Sequence, residues 1–121
     1  MKEIDFLIRT EDLGQVTSLL EKHGIGGITF YEISGAGRAK REAVPERVRA
    51  YMTGRMITPD YVKRTKVEAV VPDSKVKEII DEILNSVSPG KEAHGMIFLR
   101  DVADAYEMGT KSSGEAVLAP K

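Results

Sequence analysis

Between Val76 and Val87 the apolar residues Val76, Ile79, Ile80, Ile83, Leu84 and Val87 recur at i, i+3, i+4, i+7, i+8 and i+11. That spacing is one face of an amphipathic helix. Strand-like segments flank it. Thr65 to Val71 places Val67, Ala69 and Val71 on one face and Lys66, Glu68 and Val70 on the other, while Met96-Ile97-Phe98-Leu99 reads as a short, fully buried strand. The same order occurs earlier in the chain. Ile4, Phe6 and Ile8 share one face of Lys2 to Arg9, with Leu7 opposite. Asp12 and Gln15 then have the form of a capping box ahead of Leu13, Val16, Leu19 and Leu20, and Gly24 stops the helix. Ile28, Phe30 and Ile33, with Thr29 and Tyr31 between them, end at Ser34-Gly35. The chain is thus β-α-β, a long connection, and β-α-β again. An α+β fold follows: a ferredoxin-like βαββαβ sandwich, in which two helices cover one face of a four-stranded antiparallel sheet, with a long loop between the second and third strands. Apolar residues on both faces of the later strands predict that the uncovered face is buried against further copies in closed cyclic symmetry.

The connection, about residues 38–62, holds Pro45, Gly54 and Pro59 and is long enough to be functional or disordered. Val44, Val48, Tyr51 and Met52 fall at i, i+4, i+7 and i+8 with Pro45 suited to a first helical position, which predicts a short helix, a frayed loop being the alternative. Asp101 is expected to cap a helical turn through Tyr106, and Gly109 to Lys121 reads as a polar, flexible tail. The expected domain is 1–117, with 118–121 a flexible tail.

With 121 residues the chain supports one core and not two. No apolar run approaches the ~20 residues of a membrane helix, and Met1 to Asp5 alternates charge with apolar side chains rather than forming a signal peptide. A soluble, cytoplasmic protein is expected. Without cysteine there is no disulfide, thiolate nucleophile or thiolate-bound zinc, and a metal site built on His23 and His94 needs carboxylates or another chain. The net charge of −1 conceals an asymmetry. Residues 38–66 carry nine Lys or Arg against Glu42, Glu46 and Asp60, a net of +6, leaving −7 for the remainder. A basic stretch on an acidic body suits a local anionic partner, a phosphate or an acidic protein face, better than nucleic acid; a solvated loop is the plainer reading.

Three glycine-bearing segments adjoin strands and allow phosphates to approach the backbone: Gly24-Ile25-Gly26-Gly27, Gly35-Ala36-Gly37-Arg38, and Gly90-Lys91-Glu92-Ala93-His94-Gly95. Each alone also suits a turn, and none has the spacing of a P-loop. His94 is either a turn residue or a donor to a phosphate or ribose, whereas His23 closes the first helix as a structural cation. Glu68 is expected to pair with a basic residue from a loop. Ser112 and Ser113 have no neighbouring acid or histidine pattern to activate them, so no catalytic set is assigned.

The order of elements joins with particular motifs: Met1-Lys2-Glu3-Ile4-Asp5, Gly24-Ile25-Gly26-Gly27-Ile28-Thr29, Gly35-Ala36-Gly37-Arg38, Val67-Glu68-Ala69-Val70-Val71-Pro72-Asp73, and Gly95-Met96-Ile97-Phe98 before an Asp-Val pair. In these the chain resembles the PII nitrogen-signalling family from Met1 to about Val117. The resemblance implies a non-enzymatic homotrimer with an adenine nucleotide, ATP, ADP or AMP, in each cleft between subunits. By position the implied contacts are Gly27, Thr29, Gly35, Ala36, Gly37 and Arg38 from one side, with Val70 through its backbone and Lys91, His94 and Gly95 from the last loop completing the cleft. It further implies that the long T-loop, with Arg41, Arg47, Arg49, Tyr51 and Arg55, docks on a membrane transporter, an ammonium transporter being the family expectation, or on a metabolic enzyme.

Departures from the family pattern qualify the ligand. Ala39 stands where a glutamine helps hold magnesium and 2-oxoglutarate, Met96 replaces a lysine, and Glu107 and Gly109 replace two arginines. Three fewer cations weaken charge-assisted binding of a triphosphate. ADP or AMP is therefore expected to compete better than magnesium-ATP, and 2-oxoglutarate and Mg to bind poorly. The loop is also longer than the family's and lacks its tyrosine modification motif. Three other readings stay open: a regulator of bicarbonate or other small-anion transport, a small trimeric nucleotide-processing enzyme, and a divalent-cation-tolerance type of trimer.

Overall fold

The computed structural model describes residues 1–36, 42–87 and 95–119. Its elements, in order, are β1 (Lys2–Ile8), a 3-10 turn at Thr10–Asp12, α1 (Leu13–Lys22), β2 (Ile28–Gly35), β3 (Val44–Val48), β4 (Tyr51–Ile57), β5 (Val62–Val71), α2 (Asp73–Ser86), β6 (Gly95–Asp101) and a 3-10 helix at Glu115–Leu118. Four strands form one antiparallel sheet in the order β2-β5-β1-β6, the ferredoxin-like arrangement. The two central strands supply the core. Ile4 and Phe6 of β1 stand opposite Ala69 and Val67 of β5, and with Ile8 and Val71 they pack with Val16 and Leu20 of α1 and Ile79 and Ile83 of α2. Period-2 alternation on the strands and 3.6-residue spacing on the helices therefore meet in one layer.

Several electrostatic contacts fix the two helices to each other. Gln15 Nε2 donates to the Ser86 carbonyl at 2.8 Å, and Lys75 Nζ to the His23 carbonyl at 2.8 Å. Glu82 accepts from Lys22 Nζ at 2.8 Å and also meets His23 Nε2. His23 is thus the structural C-terminal residue that the sequence implies, and Gly24 beyond it takes a left-handed φ of 78°. The capping box does not form. Asp12 lies in a helical conformation, continuing the 3-10 turn into α1, and its carboxylate accepts from Arg9 Nε and Nη2 at 3.1 and 3.2 Å.

Four expectations need correction. The 44–52 segment is not helical: β3 and β4 form an antiparallel hairpin, pairing Val48 with Tyr51 and Arg47 with Met52. Arg49, at a left-handed φ of 56°, turns the chain between them, and the Val and Tyr side chains favour extended backbone over so short a helix. Strand β6 is an edge strand with Met96, Phe98 and Leu99 about half exposed in the single chain, not a fully buried one. Asp101 ends β6 in an ion pair with Lys2, and residues 102–106 form no helical turn. The residues read as a polar tail from Gly109 onward are hydrogen-bonded: Tyr106 bridges Ser113, Gly114 N donates to the Ala105 carbonyl at 2.9 Å, and a 3-10 helix follows. Within the strong helical stripe, Leu84 is 61% exposed, because α2 turns only Ile79 and Ile83 fully inward.

At the start of β6 a side chain is excluded outright. A Cβ on Gly95 would lie 2.7 Å from the Leu7 carbonyl oxygen. Gly95→Ala should therefore cost about 1–3 kcal/mol, as overpacking does, measured by denaturant melts at matched protein concentration. The Lys22 ammonium, and after it His23, holds the Glu82 carboxyl below the ordinary 4.5. A depressed folded-state value means stability that is full above 4.5 and lost as pH falls through the folded value. Glu82→Gln should accordingly flatten the acid limb of the Tm-against-pH curve below about pH 4.5 and lower Tm modestly at neutral pH.

Candidate functional site

The open face of the sheet carries the residues that the helices do not cover. It is formed by Thr29, Tyr31, Ile33 and Gly35 of β2, Val62, Arg64, Lys66, Glu68 and Val70 of β5, Glu3, Asp5 and Leu7 of β1, and Met96, Phe98 and Arg100 of β6. Asp5 sits at its centre, 1% exposed, and accepts from Arg100 Nε at 2.7 Å through Oδ2, while Oδ1 has no partner among the described residues. Its carboxylate raises the Arg100 guanidinium, and partial burial, then Asp5, pushes the Glu3 carboxyl up. Glu68 bonds Tyr31 Oη at 2.8 Å and Lys66 Nζ at 3.4 Å. Among the described residues its partners are therefore neighbours in the sheet.

At one end of this face lies a cleft of about 400 Å³ lined by Ile25, Gly26, Gly27, Val70, Val117, Leu118 and Ala119. It brings together two residues singled out in the sequence, Gly27 and Val70, and Thr29 follows close by on β2. Gly35 and Ala36 do not join them. Thr29 and Gly35 stand six residues apart on one strand, roughly 20 Å at ~3.3 Å per residue. Gly95 begins β6 opposite Ile8, toward the same end of the sheet as Gly35 but on the opposite edge, with β5 and β1 between β6 and β2. Gly37, Arg38, Lys91 and His94 lie outside the described residues. The described site residues are therefore divided between two ends of the sheet, Gly27 and Val70 at one and Gly35 and Gly95, on opposite edges, toward the other.

The glycines of the two groups are not equivalent. At Gly26, Gly27 and Gly35 a Cβ would meet nothing within 4 Å, and none has a positive φ. Among the described residues, neither backbone conformation nor packing within one chain requires glycine there. What their lack of a side chain leaves is bare backbone open to something outside the chain. Gly95, in contrast, has its own reason to be glycine in the contact with Leu7.

On the hairpin Arg47, Arg49, Tyr51 and Arg55 are all exposed, and none of their side chains has a hydrogen-bond or ion-pair partner among the described residues. Tyr51, Val48 and Val44 add apolar surface beside these cations. Arg41 lies outside the described residues. Of the positions that depart from the family pattern, Met96 projects from the open face, and Glu107 and Gly109 belong to the turn between Tyr106 and Ser113, where Glu107 N donates to the Ser112 carbonyl at 2.9 Å. The C-terminal wall of the cleft, Val117 to Ala119, carried no sequence signal beyond two aliphatic residues in a polar stretch.

Comparison with known proteins places this arrangement. Residues 1–112 match the family model for Nitrogen regulatory protein P-II. The chain is 34% identical over 118 residues to Nitrogen regulatory protein P-II 1 of Escherichia coli strain K12, covering 98% of this chain and all of that protein. It is equally similar to Nitrogen regulatory protein P-II of Porphyra purpurea, at 34% over the same shares, and 33% identical to that of Klebsiella oxytoca.

Removing the Asp5–Arg100 pair tests the electrostatics of the open face. Arg100→Met leaves a buried carboxylate without its cation and should lower Tm at pH 7, whereas adding Asp5→Asn should recover part of the loss. Additive effects of the two substitutions in thermal melts would show that the pair is not coupled.

Proposed function

The chain belongs to the nitrogen regulatory protein P-II family, and from that premise we propose that it is a cytoplasmic, non-enzymatic signalling homotrimer that reads adenine nucleotides between subunits. One observation carries the reading. Gly27, Thr29 and Val70 lie at one end of the sheet and Gly35 and Gly95 at the other, so a ligand touching both groups must bridge two copies of the chain. The open space beside Gly27 and Gly35 supports the same conclusion, since no described atom of the protomer lies where a Cβ would stand. The half-exposed apolar side chains of β6 and of Tyr31 supply surface for such an assembly. The domain takes in residues 1–117, and the 3-10 helix carries it on to Leu118.

ADP or AMP is the favoured ligand over magnesium-ATP. Met96, Glu107 and Gly109 remove three cations that would hold a triphosphate, and Ala39 removes a ligand for magnesium and 2-oxoglutarate. Arg38, Lys91 and His94 remain as polar contacts for one or two phosphates. Nucleotide occupancy shifts the population of conformations of the 38–62 loop, to an extent set by its differential affinity for them. The loop then presents Arg47, Arg49, Tyr51 and Arg55, with Arg41, to an acidic surface on a membrane transporter or metabolic enzyme of nitrogen metabolism. No described helix is long and apolar enough to cross a membrane itself.

Isothermal titration of the intact protein with ATP, ADP and AMP, with and without magnesium and 2-oxoglutarate, tests the reading. ADP and AMP should bind at least as tightly as magnesium-ATP, with little effect of 2-oxoglutarate. Gly27→Ala should weaken ADP by at least about tenfold, near 1.4 kcal/mol, without changing Tm. Tight ATP binding that depends on 2-oxoglutarate would overturn the ligand preference, and a stable monomer would overturn the inter-subunit site.

A further inference from the structure

Asp5 alternates with Ile4 and Phe6 on β1, so its side chain projects from the open face, yet it is buried there beneath its neighbours. Phe98 of β6 and Glu68 of β5 stand directly opposite, with Arg100 and Lys66 two residues away on the same strands. Arg100 Nε donates to Asp5 Oδ2 at 2.7 Å and lies 3.8 Å from Oε2 of Glu3, its cross-strand partner. Asp5 Oδ1 has no donor among the described residues, which native folds rarely leave so. The charges are also unequal. Glu3, Asp5 and Glu68 bring three carboxylates, whereas Arg100, and Lys66 at 3.4 Å from Glu68, bring two cations. Tyr31 of β2 only donates its hydroxyl proton to Glu68. Arg64, four residues before Glu68, is roughly 13 Å away at ~3.3 Å per residue, with its guanidinium on the Lys63 carbonyl.

Resting on the reading that further copies cover this face, we propose that Glu3 and Asp5 share a proton there, the Glu3 O–H donating to Asp5 Oδ1, and that assembly therefore draws a proton from water into each copy. The proton supplies what the cluster lacks. It gives Oδ1 its donor, cancels the surplus negative charge, and leaves Arg100 to hold the remaining carboxylate. Glu3 lies close enough to Asp5 for that bond, and partial burial, then Asp5, already pushes its carboxyl above the ordinary 4.5. In the single chain the Glu3 side chain is still 29% exposed, so water shares its charge. A covering copy removes that water and raises the value further, because two carboxylates side by side in a dry contact resist ionising together. Association is then favoured where the proton is held. The gain is full below the free chain's value and disappears as pH climbs through the raised one.

Sedimentation velocity of the full chain in dilution series between about pH 5 and about pH 8 tests the linkage, beside Glu3→Gln, whose amide N–H stands in permanently for the shared proton. The unaltered assembly should withstand at least about tenfold greater dilution at the acid end than at the alkaline end. Glu3→Gln should withstand dilution equally at both. An NMR titration of isotope-labelled Glu carboxyls, with Glu3 assigned through the variant, should place its midpoint in the assembly above the ordinary 4.5. Assembly indifferent to pH, a variant that keeps the original pH dependence, or a Glu3 midpoint at or below 4.5 would overturn the proposal while leaving the assembled signalling protein intact. If the copies do not separate on dilution, the Glu3 midpoint alone decides. A chain that stays monomeric throughout would instead refute the reading on which the proposal rests.

Discussion

A sheet has two faces, and two helices cover only one of them. Every notable property of this chain follows from that imbalance. Ile4, Phe6, Ile8, Val67, Ala69 and Val71 disappear beneath α1 and α2, and the core is complete with the two central strands. The edge strands β2 and β6 extend past it, which leaves Phe30, Tyr31, Met96, Phe98 and Leu99 partly in water. A domain of this size has little apolar surface to spare for solvent, and in a symmetric assembly the same patch can serve as interface in every subunit.

The uncovered face is not simply apolar. Asp5 is buried at its centre and held by Arg100, flanked by Glu3, and further along by Glu68 with Tyr31 and Lys66. Charged groups on such a surface cost desolvation unless paired, so they favour one register of contact over others. Glycines at the two ends of the face complete the pattern. Gly27 and Gly35 leave backbone open at separate places, and the cleft at Gly27 is walled by residues from the far end of the chain.

Much of this was legible from spacing. The alternation of β1 and β5 and the stripe of α2 located the core because burial on one face imposes period 2 on a strand and 3.6 on a helix. Gly24 was readable as a helix stop and His23 as its structural companion. Other local signals misled. Asp12 and Gln15 have the form of a capping box, yet Arg9 takes the Asp12 carboxylate and Ser86 takes Gln15. The valines near Pro45 match helical spacing over too short a span to nucleate a helix, and β-branched side chains with a left-handed Arg49 made a hairpin instead. Among the described residues Glu68 found its partners in the sheet, Tyr31 on the neighbouring strand and Lys66 two residues before it on its own.

By itself the sequence determined the strands and helices of the core sheet and its two covering helices, the core-facing sides of β1, β5 and α2, and, through its motifs, the family. Those properties are local or periodic, so neighbouring residues carry them. Only the tertiary structure decided that Gly27 belongs with Val70 and the C-terminal Val117 and Leu118, and that Gly35 and Gly95 lie toward the other end of the sheet, on its two opposite edges. Strand order brings together residues tens of positions apart, and no pattern along the chain encodes that adjacency. The same is true of Gly95, whose need to lack a side chain is set by the carbonyl of Leu7 across the strand pair.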